Sequence, residues 1–200
     1  MVAEKVYQPD FGVGVTATSG IVNAGKSRIY GVETETSIAP IKPLTLGMSY
    51  TYLSTKLLST SPVPLPTGGY TQVEFPSVVG GVLPFSPRNK LSANATYHLP
   101  IPQNLGEVSL GAIFTYTSGA LVTQASPLAM IEPYGLLNMN LSWNAIAGSS
   151  IDAELFASNI TNRFYYNNVS EFFDTAFGFE SRYLGEPRMY GARLRLRFGK

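Results

Sequence analysis

The 200-residue chain reads as all-β: the antiparallel strands of a transmembrane β-barrel, about seven to eight of them in a meander, forming a partial barrel. Three observations predict this. Apolar and polar residues alternate strictly in segments of about ten residues, the length of a tilted membrane-spanning strand. The connections between segments alternate short and long, as do the periplasmic turns and extracellular loops of such barrels. Aromatic residues gather at segment ends on the apolar side, where the two membrane interfaces would lie.

Taken in order, Ser27 to Ile38 sets Tyr30, Val32, Thr34, Thr36 and Ile38 against Gly31, Glu33, Glu35 and Ser37. Leu44 to Leu53 sets Leu44, Leu46, Met48, Tyr50 and Tyr52 against Thr45, Gly47, Ser49 and Thr51. Lys90 to Leu99 and Val108 to Tyr116 repeat the arrangement, followed by Tyr134 to Trp143, Ile151 to Asn159 and Pro187 to Phe198. A further strand before these is expected at Val2 to Tyr7, in preference to Phe11 to Ala17. The short connections are Ala39 to Pro43, Pro100 to Glu107 and Asn144 to Ser150; the long ones run from Ser54 to Arg88, Thr117 to Pro133 and Ile160 to Glu186. Prolines and glycines concentrate between segments, where they do not break a ladder.

Composition narrows the functions. Only 14% of residues are charged, where about 25% is usual. With 14 Lys and Arg against 13 Asp and Glu, no basic surplus points to nucleic acid. Cys is absent, which removes disulfide frameworks and thiolate chemistry. No apolar run reaches the roughly 18 to 20 residues that a spanning helix requires. The opening "MVAEKVYQPD" lacks the features of a secretory signal, so the expectation is a chain shorter than its precursor.

The polar face decides between a barrel wall and a soluble sandwich. It carries Ser, Thr, Asn and Gly in place of the Lys and Glu of a washed surface, which suits a lumen. Its charges balance: Glu33, Glu35, Asp152 and Glu154 against Lys90, Arg193, Arg195 and Arg197. Antiparallel pairing of the last two strands would set Asp152 and Glu154 opposite Arg197, Arg195 or Arg193. The closing "MYGARLRLRFGK" thus offers lipid its Tyr, Ala, Leu and Phe, and the lumen its arginines.

Four stretches carry a family resemblance: "NAGKSRIYGVETE" (Asn23 to Glu35), "FSPRNKLSANATY" (Phe85 to Tyr97), "LFASNITNRFYY" (Leu155 to Tyr166) and "GEPRMYGARLRLRF" (Gly185 to Phe198). In order and spacing they resemble the carboxyl-terminal part of the barrel of the TonB-dependent outer-membrane receptors, of siderophore-receptor type. The chain end also resembles the β-signal read by the outer-membrane insertion machinery, at Gly191, Leu194, Leu196 and Phe198, although Gly199 and Lys200 follow the aromatic residue. The resemblance implies a single domain over residues 1–200, with signal peptide and plug domain absent. It implies the outer membrane of a Gram-negative bacterium. It also implies that the whole receptor takes up a ferric siderophore or similar scarce nutrient with energy from the TonB complex, which would reach this chain only through the missing plug. Expected partners are the lipid bilayer, the insertion machinery and the small-molecule ligand, with no cofactor and no enzymatic activity.

On that reading ligand contacts come from the long loops: Tyr70 and Phe75, then Phe164, Tyr165, Tyr166, Phe172, Phe173, Phe177, Phe179, Arg182 and Tyr183. Aromatic rings stack on planar ligands and an arginine pairs with anions. His98, the single histidine, is expected on the lumenal side, and no motif marks Ser92 or Ser109 as its nucleophile. The acids Glu171, Asp174, Glu180 and Glu186 match no calcium-loop spacing. The alternative is a self-contained eight-stranded outer-membrane barrel serving as anchor, adhesin or small enzyme.

Overall fold

The computed structural model describes residues 25–60, 78–123, 129–171 and 179–198. Its strands are β1 (Gly25–Ile41), β2 (Leu44–Thr60), β3 (Asn89–His98), β4 (Glu107–Thr117), β5 (Ala120–Leu121), β6 (Met130–Ile131), β7 (Tyr134–Asn144), β8 (Ile151–Ser158), β9 (Tyr166–Glu171), β10 (Glu180–Leu184) and β11 (Met189–Leu196). Seven of them form one meandering sheet in the order β1-β2-β3-β4-β7-β8-β11. The two remaining pairs, β5 with β6 and β9 with β10, are small hairpins within the long connections. Both candidates for a preceding strand, Val2 to Tyr7 and Phe11 to Ala17, lie outside the described residues.

The register aligns the alternation of all seven strands. One row across the sheet reads Ile38, Leu46, Ala95, Ala112, Met139, Ala157, Tyr190. A neighbouring row on the other face reads Thr45, Thr96, Gly111, Asn140, Phe156, Gly191. A slip of one residue in any strand would turn its apolar set into the polar face. No slip occurs at the level of these rows.

The apolar face has no protein layer on it. Leu194 is 77% exposed, Tyr190 66%, Val32 58% and Leu155 57%, values opposite to those of a sandwich core. No described helix is long and apolar enough to cross a membrane. A continuous apolar face of this extent, bare of protein, is a lipid-facing wall. Its upper limit is marked on β1 and β2, where Arg28 and Lys56 are register partners on the outward side. Just below, Arg28 lies 5.6 Å from the centre of the Tyr30 ring. From Tyr30 to Ile38 the strand advances about 27 Å at ~3.4 Å per residue, or about 21 Å along the membrane normal at a tilt of ~40°, close to the ~25 Å apolar band of such barrels.

Several boundaries differ from the sequence expectation. The first hairpin is 17 residues on each side, so β2 continues past Leu53 to Thr60 and rises above the apolar band. A returning segment sustains this extension: Leu57 N–H donates to Gly81 O at 2.9 Å, Gly80 N–H to Leu57 O at 2.8 Å and Leu83 N–H to Thr55 Oγ1 at 3.0 Å. Thr55 and Leu57 are buried as a result. At the opposite end the connections are tight, with short 3-10 turns at Gln103–Leu105 and Ile146–Gly148. Trp143 Nε1 donates to Leu105 O at 2.7 Å and ties one of these turns to the sheet.

The polar face balances its charges less locally than composition suggests. Arg193 Nη1 meets Glu154 Oε2 at 2.7 Å and Arg197 Nη2 meets Asp152 Oδ1 at 2.9 Å. Arg195 is the register partner of Asp152, yet that Oδ1 also accepts from Ala145 N–H at 2.8 Å, and no ion pair of Arg195 forms among the described residues. Glu33 and Glu35 stand opposite Thr51 and Ser49, and Lys90 lies between Thr51 and Thr117. The acids of β1 and the arginines of β11 are on opposite margins of the sheet, too far apart to pair. His98 is opposite Ser109, and their row continues through Ser142 to Glu154 and Arg193. The acid of that row is bonded to arginine, not to the histidine.

Candidate functional site: the long-loop layer

The candidate ligand-contacting region is the layer formed by the three long connections, and its foundation is an asparagine. β8 ends at Ser158, and Asn159 turns the chain at φ 46°, a left-handed conformation that Asn tolerates better than most residues. Asn159 is only 3% exposed. Its Oδ1 accepts from Arg163 N–H at 2.8 Å, while its Nδ2 donates to Arg163 O at 2.9 Å and to Glu186 O at 3.1 Å. Its own N–H donates to Asn138 Oδ1 at 2.8 Å. One side chain thus holds together the entry and the exit of the last loop, and the backbone N–H of the same residue seats the turn on β7.

Tyr165 reinforces this neck. Its ring packs against Tyr134 at 4.5 Å between centroids and lies over Gly185, where a Cβ would collide with it. Gly185 N–H donates to Tyr165 O at 2.9 Å, and Glu186 N–H to the Tyr165 hydroxyl at 3.2 Å. Tyr165, expected as a ligand contact, is half-buried here and closes the neck of the loop. Tyr134, the first residue of β7, is its partner.

Above the neck a second group of side chains is more open. Phe164, 67% exposed, meets Tyr166 edge to face at 5.4 Å. The Arg182 guanidinium lies 5.3 Å from the Tyr166 ring centre and is paired with Glu180. The Glu180 hydrogen bond raises the Arg182 pKa above its ordinary value, so this exposed guanidinium remains cationic at working pH. Its charge is already matched by Glu180, which weakens the case for Arg182 as a free anion hook. Tyr183 is exposed. Tyr70, Phe75, Phe172, Phe173 and Phe177 lie outside the described residues, as does Asp174; Phe179 is described and exposed.

The loops have their own small core. Val122, Ala129 and Val169 are buried together with Ile131 against them, joining the β5–β6 hairpin of the second connection to the β9–β10 hairpin of the third. The first connection joins this assembly through Phe85, whose N–H donates to Leu121 O at 2.8 Å. Phe85 has φ 52° and leaves its ring exposed, an unusual conformation for a bulky residue. Sequence reading missed Phe85, Asn159 and Tyr134 as organisers. The asparagine-rich "SNITN" run was the available signal for Asn159.

At the other end of β11, Leu194, Leu196 and Phe198 point outward and exposed, whereas Gly191 faces the lumen. There the Phe156 ring lies across it and occupies the space a Cβ would need.

Comparison with known proteins agrees with this architecture. No curated protein sequence matches the chain. The ferric yersiniabactin uptake receptor FyuA from Yersinia pestis superposes with a TM-score of 0.71 at 15% identity, over 90% of this chain and 25% of that one. The siderophore receptor PiuA from Acinetobacter baumannii superposes with a TM-score of 0.60 at 18% identity, over 85% of this chain and 21% of that one. The FrpB iron transporter from Neisseria meningitidis gives 0.57 at 16% identity, over 91% and 25%. The chain therefore spans about a quarter of the length of these solved structures. The profile described as TonB dependent receptor-like, beta-barrel, matches residues 5–162, and with the lipid-facing sheet and its long-loop end this places the chain in the TonB-dependent receptor β-barrel family.

Proposed function

We propose that this chain is the carboxyl-terminal portion of a β-barrel that takes up a ferric siderophore or similar scarce nutrient across the outer membrane of a Gram-negative bacterium. The observation that carries this reading is the combination of a lipid-facing wall with a structured, aromatic loop layer at one end only. Phe164 and Tyr166 are the described rings best placed to stack on a planar ligand. Energy from the TonB complex would act through a plug domain contributed by the rest of the receptor. Gly191, Leu194, Leu196 and Phe198 would be read by the insertion machinery before the sheet is complete. The superposition on about a quarter of each receptor structure supports this portion-of-a-receptor reading over the self-contained eight-stranded barrel.

The test is a titration of the chain, refolded in detergent, with ferric catecholate, phenolate and hydroxamate complexes. The readout is tyrosine fluorescence, with Trp143 at the far end as internal reference. Saturable tyrosine quenching that weakens in Phe164→Ala and Tyr166→Ala is expected for at least one complex. Quenching unaltered by both substitutions, or absent with every ferric complex, would overturn the proposed ligand class and site.

A further inference from the structure

The outward side of the first hairpin ends in a pair of cations. Arg28 on β1 and Lys56 on β2 are register partners, one step above the pair Tyr30 and Ser54 on the same face, and both are exposed. Like charges directly opposite each other in an antiparallel pair repel. An anion seated between them turns that repulsion into attraction. Cross-strand partners have Cα atoms ~5 Å apart, so a guanidinium fork and an ammonium can close on one group. The Arg28 guanidinium stands 5.6 Å from the centre of the Tyr30 ring. The Lys56 stem runs beside Gly80 of the returning segment, where a Cβ would lie 3.8 Å from Lys56 Cε. Among the described residues no carboxylate pairs with either cation.

The height of this pair identifies the source of the anion. Tyr116 shares a register row with Thr34, and Tyr190 shares one with Ile38, so the outward tyrosines step down the rows from β1 to β11. The rows themselves climb as the strands tilt. Six steps separate β1 from β11, and at ~4.8 Å per step and a tilt of ~40° they raise a row by about 18 Å, close to the ~21 Å between Tyr30 and Ile38 along the membrane normal. Tyr30, Tyr116 and Tyr190 therefore share one level, that of the interfacial girdle. The arrangement recurs on β11, where Arg188 is exposed and lies 5.7 Å from the centre of the Tyr190 ring, again two residues toward the long loops. Cations just beyond the girdle, on the lipid side, meet headgroups.

We propose that Arg28 and Lys56 form a binding site for a terminal phosphate monoester on the headgroup of a membrane lipid, whose acyl chains run down the apolar face past Tyr30 and Val32. Such a phosphate carries nearly two negative charges at neutral pH and three acceptor oxygens, enough for a bidentate arginine and a lysine together. A zwitterionic diester brings no net charge to the pair. The inference depends on the lipid-facing side of the sheet and is independent of the ligand that the loops take.

The test titrates the chain, refolded in neutral detergent, with dioleoylphosphatidic acid and counts retained lipid by native mass spectrometry. One tightly held lipid is expected, with dioleoylphosphatidylcholine retained far more weakly and inorganic phosphate at millimolar concentration failing to displace it. Arg28→Gln combined with Lys56→Gln should weaken retention about ten- to thirtyfold, whereas Arg28→Lys, which keeps the charge, should stay within about threefold. Lys42→Gln, at the opposite end of the same hairpin, should leave it unchanged. Trp143 emission and gel mobility verify that each variant has refolded. Equal retention of the two lipids, displacement by inorganic phosphate, the same loss in Lys42→Gln, or undiminished affinity in the double variant would each overturn the proposal.

Discussion

Replacing Asn159 should loosen the last loop far more than the sheet beneath it. Its side chain makes three hydrogen bonds to Arg163 and Glu186, together about 3 kcal/mol at ~1 kcal/mol each. Alanine must also hold the left-handed turn at φ 46°, which adds ~1 kcal/mol. Asn159→Gly avoids that second cost and isolates the hydrogen bonds. Asn159→Asp keeps the acceptor for Arg163 N–H but turns a carboxylate toward two carbonyl oxygens, so it should exceed alanine in damage. The readout is the rate of tryptic cleavage after Arg163, with Trp143 fluorescence in urea reporting the whole fold. A local loss of about 3 kcal/mol raises the open population roughly 100-fold, and about 4 kcal/mol roughly 1000-fold. Cleavage that rises less than about threefold in Asn159→Asp would refute the view of this residue as the clasp of the loop.

Other substitutions address the two faces of the sheet. Met139→Arg, in the middle of the lipid side, should cost about 2–4 kcal/mol in refolding from urea into lipid vesicles, while Asn140→Arg on the lumenal side should cost less than about 1 kcal/mol; equal costs would contradict the assignment of faces. Gly191→Ala should destabilise the chain because Phe156 occupies the space, and Phe156→Leu should recover part of the loss, a coupling visible in a double-mutant cycle of urea midpoints. Glu154→Gln removes the exposed pair with Arg193 and should change stability by only ~0–1 kcal/mol, an effect that fades with added salt. A large, salt-independent loss would show that the pair does more than set register.

The sheet was legible in the sequence because its determinants are local and repeated. Each strand states its own two faces, and the row from Ile38 to Tyr190 follows from seven independent alternations. The extension of β2 to Thr60 was hidden because Leu57 and Leu58 are consecutive, and the register shifts between Lys26 and Ser27. Such a bulge destroys the period on which the reading depends. β5 and β6 are two residues each, too short to show any period. The role of Asn159 depends on Glu186, distant in sequence, and Tyr165 could be recognised as a clamp only once Tyr134 and Gly185 were beside it. That Arg195 forms no ion pair among the described residues is likewise a fact of register: composition shows nearly equal numbers of acids and bases and says nothing about which margin each occupies.

The cluster of buried Val122, Ala129 and Val169, with Ile131 packed against it, draws its members from two separate excursions of the chain. Those excursions are therefore mechanically one lid-like block, and a molecule that pulls on the third displaces the second with it. Stiffness at the mouth then originates in the protein's own miniature interior, independent of the thickness or fluidity of the surrounding lipid.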